Sequence, residues 1–307
     1  MAMPVAAQAP GQRSAVLRIA CDRACLIGMV RRYLQALAAH DTTGLPLAKG
    51  VVFTENDVVM ALGKGLWGTI SGVAPAGLEV ADAQTGQAAW FGVVRENGEP
   101  AYLALRLHVA DGGIDEVETV VVRKEGLPLP FGNPDTVSHD PMFQEVLPPE
   151  QRRPRERLVA VAQSYFNTVE LNDGTVFAPF DPDCGRLENG ISTTSGPGAG
   201  GNAAAIVQGC EAQFKLGLYH INKRVRERRF PIVDEERGIV VATGFFDHAN
   251  SFDHYLLTNG KEMKTALKWP NSITLMEAFR IRDGRIQRIE ALFTYVPYFM
   301  HNPWARP

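Results

Sequence analysis

Apolar residues recur at helical spacing twice along the chain. Leu26, Val30, Tyr33 and Leu37 form a stripe that stops at Asp41, and Leu158, Ala162, Tyr165 and Val169 form another that stops at Asp173. Steps of three or four residues put each set on one face of a helix. Corresponding positions lie 132 residues apart, so the second stripe repeats the first.

The echo continues with a growing offset. Phe53-Thr54-Glu55-Asn56 returns as Arg186-Leu187-Glu188-Asn189 at 133, and the Asp82 to Gly86 turn returns as Asp234 to Gly238 at 152. Asp111-Gly112 and Asp283-Gly284, each between two strand-like runs, are 172 apart, as are Glu118 and Glu290. Asp-Gly supplies the positive φ values of a tight hairpin, so these positions predict antiparallel strand pairs. Each copy reads as a helix, a loop with short helices, and then several strands: an α+β unit with helices over one face of a curved antiparallel sheet. The boundaries fall at 15–125 for the first unit and 157–307 for the second. Pro128, Pro130, Pro134, Pro141, Pro148, Pro149 and Pro154 exclude regular structure from a linker at 126–156. Its charged end, Glu150 to Arg157, reads as solvated.

The second copy is longer by about 20 residues between Glu188 and Asp234, and by about 20 more between Gly238 and Asp283, lengths that suit lids or binding loops. The first addition carries His220, Asn222 and Lys223, and the second His254, Tyr255, Lys268 and Trp269.

Composition narrows the partner. The 307 residues carry a net charge of -3, which gives no global attraction to nucleic acid or to an anionic membrane. The run Lys223 to Arg229 is interrupted by Glu227 and reads as a strand with one solvated face. Charge breaks every apolar stretch short of the ~20 residues of a membrane span. Met1 to Gln12 lacks the basic start and apolar core of a secretion signal and reads as a loose arm on a cytoplasmic protein. Cys21, Cys25, Cys184 and Cys210 are too few for a disulfide scaffold; free buried thiols are expected, with Cys21 and Cys25 as partial metal ligands the alternative. Ser195 to Gly201 is Gly-rich but lacks the Lys-Ser/Thr of a phosphate loop, and neither an HExxH nor an EF-hand motif occurs. No metal and no cofactor are expected, and the partner expected is a small molecule.

The stretches Tyr33 to Asp41, Phe53 to Trp67, Arg228 to Gly238, Phe279 to Glu290 and Tyr295 to Trp304 resemble the nuclear transport factor 2-like (SnoaL-like) superfamily of cone-shaped α+β barrels, here in tandem. The superfamily includes isomerases, dehydratases, cyclases and non-catalytic binding modules, so fold alone does not name a reaction. The two-unit arrangement is similar to the diarylpropane γ-formaldehyde lyases of lignin-dimer catabolism. That similarity implies a cofactor-independent carbon–carbon lyase on a hydroxylated aromatic dimer, which releases formaldehyde and gives a stilbene. Pairing of exposed outer sheet faces in the superfamily implies a homo-oligomer.

Cofactorless chemistry needs acids, bases and cations in an apolar cavity, where their pKa values shift. In Leu103 to Val109, Arg106 and His108 share one strand face, which either lines a pocket or meets solvent or an interface. Glu277 falls among Leu275, Phe279 and Ile281, as a raised-pKa acid or base or as half of a buried ion pair. Tyr33 and Tyr165 lie on the inward helix stripes, as packing or as hydroxyl donors. Trp67, Trp269, Tyr295 and Phe299 either clamp an aromatic substrate or fill core. With Asn56, the residues Tyr33, Trp67, Tyr165, Trp269 and Tyr295 form the candidate substrate-contacting set. For the lyase reaction, Arg106 or Lys268 would receive the phenolate, His254, His108 or Tyr255 would donate a proton, and Glu277 or His220 would act as base. An isomerase or polyketide cyclase, and a ligand-binding or scaffold protein, are the competing readings. Glu118 and Glu290 read as structural salt-bridge partners.

Overall fold

Asp22 caps the first stripe by accepting a hydrogen bond from the Cys25 backbone N–H at 2.9 Å, and α1 (Arg23–Ala38) follows it, burying Leu26, Val30, Tyr33, Leu34 and Leu37. The second stripe becomes α2 (Arg155–Leu171), which ends at Asn172 in the left-handed conformation, φ 37°. This computed structural model describes residues 21–124, 129–194 and 209–305. The Met1 to Gln12 arm and the Ser195 to Gly201 stretch lie outside those residues.

Two six-stranded sheets dominate, and helices are few. The first contains β1 (Leu47–Glu55), β2 (Val58–Met60), β3 (Ile70–Asp82), β4 (Gln87–Glu96), β5 (Glu99–Ala110) and β6 (Gly113–Arg123), in the order β2-β1-β6-β5-β4-β3. The second contains β7 (Phe180–Glu188), β8 (Ile191–Ser192), β9 (Arg224–Asp234), β10 (Ile239–His248), β13 (Asn271–Arg282) and β14 (Arg285–Val296), in the corresponding order β8-β7-β14-β13-β10-β9. Within the second sheet's additions are α3 (Cys210–Lys215) and a separate hairpin of β11 (His254–Leu256) and β12 (Glu262–Lys264). The sheets are mixed rather than purely antiparallel, because β1 runs parallel to β6 and β7 parallel to β14.

The repeat offsets reappear in the strand register. Leu105 pairs with Thr119 as Glu277 pairs with Ala291, and Phe53 pairs with Val117 as Arg186 pairs with Ile289. The Asp-Gly pairs turn the hairpins: Asp111 and Gly112 sit at φ 49° and 80°, Asp283 and Gly284 at 52° and 74°.

Each sheet has an inner face under its own helix and an outer face turned toward the other sheet. Leu78, Phe91, Tyr102 and Val120 of the first meet Ile232, Val241, Met276 and Leu292 of the second in one buried layer. Outer faces, the surface on which the homo-oligomer expectation rested, are thus paired within the chain. Polar ties cross the same layer. Arg229 and Arg106 share Glu118, and Thr274 donates to Asp57. Glu290 accepts from the Asp140 backbone N–H at 2.9 Å.

Among its described residues the linker before α2 has only short 3-10 turns at Pro141–Gln144 and Pro149–Gln151, yet it is packed, with Phe143 and Leu147 buried. Its charged end is likewise anchored: Arg155 already belongs to α2 and pairs with Asp82 of the first sheet. The free thiols expected from the cysteine count are corrected. Cys21 joins Cys25, and Cys184 joins Cys210, as disulfides. Among the described residues, no helix is long and apolar enough to cross a membrane.

Candidate active site

The inner face of the second sheet encloses a cavity of about 290 Å³. One row across that sheet explains it. Glu188, Ala291, Glu277 and Ala242 stand side by side on β7, β14, β13 and β10, and the corresponding row of the first sheet is Glu55, Thr119, Leu105 and Trp90. Alanines flank Glu277 where Thr119 and the indole of Trp90 flank Leu105, so space opens around a carboxyl group in the second sheet and closes around a leucine in the first. Tyr33 and Trp67 complete the filling of the first, with the indole N–H donating to the Tyr33 hydroxyl at 2.8 Å. Its Glu55 is occupied as well, accepting from the Leu66 N–H at 2.7 Å and from Arg123 at 2.9 Å.

Strand alternation puts Cys184, Arg186 and Glu188 on one face of β7. The Arg186 side chain is buried, donates to Gln213 and to the Tyr219 hydroxyl, and lies 3.6 Å from Glu188. Its guanidinium stacks over the rings of Phe214 at 5.2 Å and Tyr219 at 4.8 Å. Glu277 is fully enclosed. Burial, and then the nearby Glu188 charge, push its carboxyl up to about 8, against the opposing pull of Arg186 and the Tyr165 hydroxyl. It is therefore largely protonated at neutral pH. Tyr165 is raised well above the ordinary phenol range, and Tyr219 is pushed up to about 12, in each case mainly by burial, so both remain hydroxyl donors. Among the described residues, neither Glu277 Oε2 nor Arg186 Nε has a hydrogen-bond partner. Two orphaned polar atoms at the edge of one cavity are the kind that a bound molecule satisfies.

Aromatic rings supply much of the wall, from Tyr165, Phe214, Tyr219, Phe246, Phe293 and Tyr295. At another part of the wall, His248 is held between Asn222 at 2.7 Å and Asn271 at 3.0 Å, and burial lowers its pKa so that the ring stays neutral. The β11–β12 hairpin and the segment after it contribute Tyr255, Met263, Lys264 and Leu267. Tyr255 donates its hydroxyl to the Leu218 carbonyl at 2.9 Å, which fixes the hairpin over the cavity.

Of the candidates from the sequence, Glu277, Tyr165, Tyr255 and Tyr295 line this cavity. The others lie elsewhere. Arg106 points into the layer between the sheets, bonded to Glu118 at 2.6 Å, Glu116 at 2.8 Å and Gln87 at 2.8 Å, because its strand face is the outer one. His108 lies on that same face and pairs with Asp115 at 2.6 Å. Asn56 spends its amide on the backbone of Val121, closing the β1 turn, and Asn189 does the same for Phe293. Tyr33 and Trp67 are core of the first unit. His220 is exposed beside Phe252 and Tyr255, and His254 and Lys268 are exposed too. Trp269 is 77% exposed, so it clamps nothing in the cavity, and Phe299 stacks on Arg224 and Arg226 away from it. Among the basic run, Arg226 and Arg228 carry carboxylate partners in Asp247 and Glu170.

Arg186, Glu188, Gln213, Tyr219 and His248 were not singled out by sequence. A signal for one of these existed: comparing the repeats shows Arg186 in place of Phe53, as Glu277 stands in place of Leu105, a paired appearance of opposite charges on inward positions.

The sequence profile of a family described as "Domain of unknown function (DUF8021)" matches residues 151–293, which include most of the residues lining this cavity. No curated protein matches. Solved structures similar to part of the chain include a protein from Sphaerobacter thermophilus, 17% identical over 32% of this chain and 96% of that one, with a TM-score of 0.27. A steroid delta-isomerase from Pseudomonas aeruginosa is 17% identical over 33% of this chain and 82% of its own, with a TM-score of 0.27. A de novo designed protein with a curved β-sheet is 15% identical over 46% and 88%, with a TM-score of 0.25. Likenesses of this strength identify neither an activity nor a substrate.

Proposed function

We propose that the second-sheet cavity is the active site of a cofactor-independent acid–base enzyme acting on a hydroxylated aromatic small molecule. The observation that carries this is the meeting, in one aromatic-walled cavity, of a protonated carboxyl and a guanidinium, each with an orphaned polar atom. We further infer that residues 15–125 and 157–307 are two copies of a cone-shaped unit of the nuclear transport factor 2-like kind, joined by 126–156, a reading that the common strand order supports.

The reaction assigned is the formaldehyde-releasing cleavage of a diarylpropane diol. Glu277 protonates the benzylic hydroxyl, which leaves as water, while Arg186 favours the phenolate of the para-hydroxyaryl ring, so that a quinone methide forms. Glu188 then takes the proton of the terminal hydroxymethyl group. The carbon–carbon bond breaks to release formaldehyde, and its electron pair passes into the quinone methide, giving the stilbene as its phenolate, which takes back from solvent the proton that the phenol gave up to it. Water and formaldehyde are the other products, and no external oxidant or reductant is consumed. Glu277 acts here as acid rather than base, because its raised pKa leaves it protonated at neutral pH.

A carboxylate beside a raised-pKa acid and a cation also suits an isomerase, in which Glu188 would carry a proton between two carbons of a ketone whose enolate Glu277 and Arg186 stabilise. Product analysis separates the two. The lyase gives stilbene absorbance and formaldehyde in equal amounts from a para-hydroxyaryl diol, with activity lost in Arg186→Met and kept in Arg106→Met at temperatures where both stay folded. Isomerisation of an enone with no formaldehyde from any diol would instead establish the second reading.

A further inference from the structure

The Cys184–Cys210 disulfide ties two pieces of the cavity wall, β7 and α3, to each other. Cys184 lies two residues before Arg186 on the same face of β7, and Cys210 opens α3. That helix has only six residues, too short to persist on its own in water. Yet it carries Gln213, which accepts from Arg186 and donates to the Thr193 carbonyl at 2.6 Å, and Phe214, on which the guanidinium stacks. Its following turn carries Tyr219, whose hydroxyl accepts from Arg186 and donates to Gln213 at 3.2 Å. Three of the contacts that orient the guanidinium therefore come from one short helix, pinned to the arginine's own strand, and the turn that follows it.

We propose that the Cys184–Cys210 disulfide is a positioning element of the active site, holding Gln213, Phe214 and Tyr219 against Arg186 so that the anion-receiving cation exists only in the disulfide-bonded protein. This rests on the reading of the cavity as an active site. Cys21–Cys25, at the start of α1 and remote from the cavity, has no such role.

The test uses 4-nitrophenol as an anionic aromatic probe, titrated by absorbance against the full chain. In the parent, binding to Arg186 stabilises the phenolate and lowers the apparent pKa of the bound phenol. Cys184→Ser/Cys210→Ser, with its circular dichroism and cooperative unfolding retained, is expected to bind the phenolate at least ten-fold more weakly and to return the probe's pKa to its free value. Cys21→Ser/Cys25→Ser should match the parent in both. If the first double variant does not fold, Gln213→Met in the disulfide-bonded protein removes the contact through which the disulfide acts and should give the same ten-fold loss. Parent-like binding in a folded Cys184→Ser/Cys210→Ser, or in Gln213→Met, overturns the proposal while Arg186→Met still abolishes binding. Binding that ignores Arg186→Met overturns the active-site reading itself, and this proposal with it.

Discussion

Glu277 is the residue on which the chemistry turns. Enclosed beside Glu188 and set against Arg186, it keeps its proton to about pH 8. An acid of that kind gives a rate that is level through neutral pH and falls as the pH rises past about 8, and a pH–rate profile of the parent should show that limb. Glu277→Gln keeps the shape and removes the proton, so the rate should drop by about 10²- to 10⁴-fold, the usual contribution of a positioned acid, with no loss of thermal stability. Arg186→Met removes a charge that holds the Glu277 pKa down. Carbon-13 NMR of the Glu277 carboxyl should therefore show a titration midpoint above the parent's; an unmoved midpoint would mean that the two groups do not sense each other.

Among the elements, the contrast between the two inner faces matters most. The first is closed by Tyr33, Trp67, Leu105 and Trp90 into a packed core, and the second is held open by Ala242 and Ala291. Trp67→Ala should cost about 3–5 kcal/mol of stability by denaturant unfolding, the usual range for a buried Trp truncation, and also orphan the Tyr33 hydroxyl, yet leave turnover untouched below the unfolding transition. An equal loss of activity would place the first unit in the catalytic machinery. This contrast also marks how far sequence reached. Helix stripes, Asp-Gly hairpins and repeat offsets were legible because they depend on local periodicity and turn chemistry. Arg106 and Glu277 each sit on alternating strands that read alike, and only the packing of the outer faces against each other decides that Arg106 is buried between sheets while Glu277 faces a cavity. The parallel entry of β1 and β7 and the pairing of four cysteines depend on contacts far apart in sequence, which no local pattern carries. Tyr255 turns inward from the β11–β12 hairpin, while His254 of the same hairpin and Lys268 and Trp269 beyond it are exposed.

At the scale of the whole molecule, the two sheets are coupled through buried acids. Asp57, at the β1–β2 turn, accepts from Thr274 of β13, and burial pushes its pKa up to about 7. A carboxyl raised on folding holds a proton that the unfolded chain releases above 3.8, so its contribution to stability is full below that pH and is lost as pH rises through about 7. Glu277 adds the same trend between 4.5 and about 8. Stability should therefore decline across these windows, by at most about 4 kcal/mol for Asp57, and Asp57→Asn should flatten the lower window in denaturant melts at several pH values. A parent whose stability does not fall between pH 4 and 7 would contradict that placement of Asp57. The joined sheets in turn fix the second cavity, and one comparison tests its role most directly. Parent and Glu277→Gln proteins, both folded at the assay temperature, are given a para-hydroxyaryl propane diol in chelator at neutral pH, and stilbene absorbance and formaldehyde are followed together. The account predicts equimolar products from the parent and at least a hundred-fold slower release from the variant. Equal rates from the two proteins, or no products from the parent, would contradict it.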